Sequence, residues 1–193
     1  RSMLVNSSNF FFGAFDPAGL VTVDKPPGAL WVQTLCAKLF GYHGLTLLAP
    51  QAVIGVLTVG LVYLQIRRVF GVPQALIAAL VLAVNPISIA VDRDNLPDPL
   101  LTLLLTLAAG ALIRSAESAS GKWLLASVAI VGAAFNVKML AAFVVLPTFY
   151  LVYLLTAPAT WFRKIGQLAA ATILLAAVSL SWSIIVDLTP ENS

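Results

Sequence analysis

Three observations predict an all-α, polytopic transmembrane bundle of about six spans with one interfacial helix. Hydrophobic residues make up 60% of the chain and charged residues 10%, far from the roughly 25% charged that is usual for soluble domains. Mean hydropathy is +0.98, and a soluble globule of 193 residues could not hide that much apolar surface. The apolar residues also come in runs near the ~20 needed to cross a hydrocarbon core of about 30 Å, separated by short polar breaks.

Each element follows in order. Residues 1–29 are too polar and too broken by Pro17, Gly19, Pro26, Pro27 and Gly28 to span, so they read as a surface loop with an aromatic knot at Phe10-Phe11-Phe12 and Phe15. Ala29 to Phe40 reads as a short amphipathic helix lying flat at the interface, with Leu30, Leu35 and Leu39 to one side and Gln33 and Lys38 elsewhere. Leu45 to Ile66 is the first span, closed by Arg67-Arg68. Gly71-Val72-Pro73 turns the chain, and Ala75 to Val91 returns it. Leu100 to Ile113 crosses again and ends at Arg114. As one helix, Trp123 to Leu155 would run to about 50 Å, too long for the core. Asn136-Val137-Lys138 breaks it into two short spans, and Ile165 to Val186 is the last. Residues 1–44 are then an extracytoplasmic loop, 45–186 the transmembrane core and 187–193 an extracytoplasmic tail. Gly55, Gly60, Gly110 and Gly132 let helices approach closely.

The distribution of charge supports six spans. One side then collects Arg67, Arg68, Arg114, Lys122, Arg163 and Lys164 against Glu117 alone. The other collects Arg1, Lys25, Lys38, Arg93 and Lys138 against Asp16, Asp24, Asp92, Asp94, Asp98, Asp187 and Glu191. The basic side is cytoplasmic by this rule. The net charge of +3 does not indicate nucleic acid, because the 11 basic residues form no stripe that could follow phosphates. The single Cys36 excludes an internal disulfide and a cysteine metal cage.

The stretch Asp92-Arg93-Asp94-Asn95-Leu96-Pro97-Asp98-Pro99 stands out, with four charges in eight residues between two apolar runs. Ionisable groups in such surroundings point to function. Part of the octet is explained by capping, with Asp94 or Asn95 preceding a helix that begins near Leu96 and Asp98 favoured by its dipole. Capping does not account for three acids and an arginine, so Asp98, Asp94 and Asp92 are candidate general bases or metal ligands. Asp94 and Asp98 are spaced one helical turn apart. Lys25, beside a rigid Pro-Pro turn, and Lys138, at a span end, suit either interfacial snorkelling or neutralisation of a phosphate. Arg93 fits a phosphate or pairs with Asp92 or Asp94. His43 has no partner at metal-ligand spacing and reads as structural, while Trp31, Trp123, Trp161 and Trp182 read as interface anchors.

Three motifs resemble the bacterial family 39 glycosyltransferases of the GT-C class, whose relatives include protein O-mannosyltransferases and aminoarabinose transferases. The first runs from Phe15-Asp16-Pro17-Ala18-Gly19 to Val23-Asp24-Lys25-Pro26-Pro27-Gly28-Ala29-Leu30-Trp31. The second is Val91-Asp92-Arg93-Asp94-Asn95-Leu96-Pro97-Asp98, and the third is Phe135-Asn136-Val137-Lys138-Met139. The resemblance implies transfer of a sugar, mannose or a pentose, from a polyprenyl-phosphate carrier to a protein, lipid or glycan acceptor at the outer face of a bacterial cell membrane. It implies carrier-phosphate contacts from Lys25 and Lys138, with Arg93 near them, and an acid at Asp98 beside Asp92 and Asp94. A divalent metal ion is compatible with this set but not required by it. The family's first-loop acid would lie upstream of Arg1, so the chain is expected to be a fragment that is inactive alone. A transporter or flippase of polyprenyl-linked substrates would also use Lys25 and Lys138, but should tolerate Asp98→Asn. A non-catalytic membrane subunit would need none of these groups.

Overall fold

The computed structural model describes residues 2–14, 16, 18 and 26–189. Its regular elements are all helical, and the chain divides into two compact units, residues 1–103 and 104–193. The division falls inside one helix, and each unit is described by itself.

In the first unit a 3-10 turn at Ser2–Leu4 leads into α1 (Ser7–Phe12), which gives the expected loop helical content. Asn6 caps α1 through the Asn9 amide, and Gly13 closes it at φ 67°, a left-handed conformation that favours glycine. α2 (Gly28–Phe40) starts directly after Pro26-Pro27, as expected. Trp31 ties the two helices together, its indole N–H donating to the Phe10 carbonyl at 2.9 Å and its ring stacking on Phe10 and Phe11. The polar Gln33 of α2 is buried, while Leu35 and Leu39 are exposed. Leu35 and Leu39 therefore face outward, as apolar residues must if α2 lies against lipid, whereas Leu30 of the expected apolar side turns inward and lines a cavity.

α3 (Gly44–Phe70) begins after His43, whose backbone N–H donates to Thr46 Oγ1 at 3.1 Å. Gly71, at φ 91°, ends α3 and α4 (Val72–Ala83) follows at once. The expected single span over 75–91 is instead broken. Asn85 accepts hydrogen bonds from the Ile87 and Ser88 amides and Pro86 follows, so α5 (Pro86–Asp92) departs from α4 at 61°. A proline preceded by a capping asparagine starts a new helix rather than continuing the old one. α6 (Asp98–Ser118) begins in the first unit and ends in the second.

The second unit packs α6, α7 (Gly121–Lys138), α8 (Leu146–Thr156) and α9 (Trp161–Leu188) around Leu112, Leu124, Val128, Phe149, Tyr153 and Leu168. Between α7 and α8 the residues Met139–Val145 form a 3-10 helix. By length and composition four helical segments could cross a membrane, or five with the bent α4–α5 pair, and residues 121–156 count there as one segment. The hydrogen bonds show that this segment doubles back. α7 runs parallel to α9, with Gly121 against Gln167 and Gly132 against Val178. α8 runs antiparallel to it, with Tyr150 bonded to Thr172 and Tyr153 to Gln167. The sequence-based break at Asn136–Lys138 is thus a true reversal. Met139 turns the chain at φ 45°, and Phe143 stacks back on Phe135 with ring centroids 4.9 Å apart.

The reversal gathers basic groups at one end of this unit. Arg114 lies over the Trp123 ring at 4.9 Å, and Lys164 Nζ donates to the Leu154 carbonyl at 2.7 Å. Gln167 bridges the two connections by donating to the Ala119 carbonyl while accepting from Tyr153.

Candidate functional site

The octet does not form one continuous helix, and its side chains diverge accordingly. Asp92 ends α5, and Arg93 follows as its C-cap, where a cation is favourable. Residues 94–97 are irregular, and Asp98 opens α6, where an acid is favourable. Asp94 and Asp98 are therefore not stacked on one helical turn. Asp94 is exposed and accepts a hydrogen bond from the Asn95 amide at 2.7 Å, closing its own turn rather than capping α6. That role at the α6 start falls to Pro97, whose carbonyl accepts from Leu101 at 3.1 Å.

Asp92, Arg93 and Asp98 line one cavity of about 500 Å³ within the first unit. Its other walls include Gly55, Val56 and Val59 of α3 and Ile87 and Val91 of α5, so the charged groups stand among aliphatic side chains. Asp92 is seated directly on Gly55, where a Cβ would enter its carboxylate. This position explains the glycine: α3 is notched for the carboxylate that ends the neighbouring helix α5. Thr102 Oγ1 donates to the Asp98 carbonyl at 2.9 Å and also faces the cavity. With Asp92 on Gly55 and Asp94 on Asn95, neither acid is directed to Arg93 as an ion-pair partner.

Asn95 turns the other way. Its side-chain oxygen accepts from Gln33 Nε2, a bond that fastens the octet to α2 across 62 residues of sequence. Sequence reading missed Gln33, whose only signal was an amide among apolar residues of α2.

Lys138 lies in the second unit, exposed at the C-terminus of α7 and at the apex of the reversal. Asn136 braces that apex by donating to the Gly132 and Val178 carbonyls, both at 3.1 Å. Lys25 lies outside the described residues. Among the described residues, no group of three His, Cys, Asp or Glu side chains could hold a metal ion.

Residues 24–182 match the family model described as dolichyl-phosphate-mannose-protein mannosyltransferase. The chain belongs to this mannosyltransferase family. It is 45% identical over 193 residues to the Bacillus subtilis (strain 168) protein described as "Putative mannosyltransferase YycA". It is 47% identical over 191 residues to a second protein of that strain, described as "Putative mannosyltransferase YkcB". The matches cover 100% and 99% of this mannosyltransferase-family chain, yet it spans only 28% and 27% of those relatives' lengths. Its fold resembles the crystal structure of ArnT from Cupriavidus metallidurans in the apo state, with a TM-score of 0.70 and 24% identity. That match covers 96% of this chain and 36% of the other, and it supports the GT-C helical architecture.

Proposed function

We propose that this family member forms the donor-side part of a membrane glycosyltransferase, one that moves mannose or a pentose from a polyprenyl-phosphate carrier to an acceptor. The acceptor, a protein, lipid or glycan, would be met at the outer face of a bacterial cell membrane. The observation that carries this reading is the cavity in which Asp92, Arg93 and Asp98 stand among aliphatic walls. In such a place a carboxylate removes the acceptor proton as the acceptor oxygen attacks the anomeric carbon. The bond to the carrier phosphate breaks, its electron pair leaves on the phosphate oxygen, and a cation such as Arg93 stabilises that charge. Asp98 is the acid we favour for this work, with Asp92 in the same cavity, while Asp94 is outside its lining. Lys25, Lys138 and Arg93 are the phosphate-binding candidates, with or without a divalent ion.

The test uses the complete gene product in membranes and follows release of sugar from labelled polyprenyl-phosphate sugars. Asp98→Asn should lower turnover by about 10²–10⁴-fold, the range typical of a general acid–base group, and Lys138→Ala should lower it comparably. Asp94→Asn should retain turnover within about tenfold, because its carboxylate closes a turn. Full turnover in Asp98→Asn and Lys138→Ala, with the proteins folded, would return those residues to helix capping and snorkelling.

A further inference from the structure

We propose that a second, smaller cavity of the first unit binds a neutral, hydroxyl-bearing group about the size of one sugar ring. It measures about 210 Å³ and lies among the Ser2–Leu4 turn, α2 and the octet loop. Its polar lining comes from Ser2, Gln33, Thr34, Tyr42 and Asn95, and every described residue lining it is uncharged. The contrast with the larger cavity, lined by Asp92, Arg93 and Asp98, is one of chemistry as well as size.

Gln33 carries the argument. It is only 6% exposed, and its Nε2 donates to Asn95 Oδ1. That bond uses the amide nitrogen of one side chain and the carbonyl of the other. It leaves an acceptor on Gln33 and a donor on Asn95. A single hydroxyl both donates and accepts, so it matches this pair as neither a carboxylate nor an ammonium does. Thr34 Oγ1 is engaged only by the Met3 sulfur at 3.6 Å, a weak acceptor that a ligand hydroxyl can replace. A phosphate would find no cation among the described residues of this lining, and a lipid tail would leave the two amides unmatched. The volume falls below the roughly 300–1,000 Å³ of pockets for drug-sized ligands, which limits the occupant to a small ring. The octet lends Asp92, Arg93 and Asp98 to one cavity and Asn95 to the other. A ligand with a neutral ring and a charged phosphate would find complementary chemistry for both parts in this unit. The kind of sugar rests on the transferase reading above, whereas the binding itself does not.

The experiment measures binding of methyl α-mannoside and of a methyl pentoside to the complete gene product in lipid nanodiscs, by saturation-transfer NMR without any acceptor or carrier. We expect saturable binding of at least one sugar, not displaced by inorganic phosphate. Gln33→Leu and Asn95→Leu should each weaken it tenfold or more. Thr34→Val, which keeps side-chain shape, should weaken it several-fold and decides the matter if the first two variants melt early. Saturable binding of neither sugar up to its solubility limit would overturn the proposal. So would binding that survives Gln33→Leu and Thr34→Val but disappears in Asp98→Asn, since the sugar would then occupy the charged cavity. Sugar binding without any turnover would count against the transferase reading alone.

Discussion

At Gly55 a methyl group would enter the carboxylate of Asp92, so the two positions must change together. Gly55→Ala should destabilise the protein by about 1–3 kcal/mol, the usual cost of forcing extra atoms into a packed site. In an Asp92→Ala background most of that cost should vanish, a non-additivity that a double-mutant cycle reads directly from unfolding in detergent. Equal costs in both backgrounds would mean that the seat is empty in the folded protein. The sequence marks Asp92, Arg93 and Asp98 well, because charge between apolar runs is visible without coordinates. It does not separate them from Asp94. Spacing predicts neighbours along a regular helix, and residues 94–97 are irregular. Gly55 was legible only as a small residue, since nothing in a linear sequence says which distant group will fill the notch.

Among the elements, α7 and α9 meet closely at Gly132, where a Cβ would approach the Val178 Cβ to 2.9 Å. Here the expected helix–helix role of the glycine holds. Gly132→Val should separate the pair and strain the Asn136 bonds to the Gly132 and Val178 carbonyls. The expected loss is again about 1–3 kcal/mol, measured by thermal unfolding in detergent. A variant as stable as the parent would show that the helices can slide apart without penalty. The span boundaries were readable from apolar runs and terminal Arg, Gly and Pro residues. The 61° break between α4 and α5 was overlooked, although Asn85-Pro86 carries its signal, because an uninterrupted apolar run hides a change of direction. The reversal after Lys138 was legible for the opposite reason: the run was too long for one crossing.

At the scale of the molecule, the alternation of basic and acidic ends makes a prediction about sidedness. In a Cys36→Ser background, Thr160→Cys marks the end of the second unit near Arg163 and Lys164, and Lys138→Cys marks its apex. A membrane-impermeant maleimide applied to intact cells should label the apex cysteine and spare the other, because Lys and Arg concentrate on the cytoplasmic side. The reverse pattern would invert the topology, and labelling of both would remove the reversal. The apex also bears on how the chain is assembled. Lys138 is the lone charged residue between Lys122 and Arg163, and no hydrophilic connector separates the two legs that meet there. A nascent chain of this kind has no place to pause between α7 and α8. With the apex outside, as predicted above, the legs would enter the bilayer together as a hairpin led by the lysine, a group that costs about 2.5–3.5 kcal/mol when held at the centre of a membrane helix. The apolar length behind it supplies the pull.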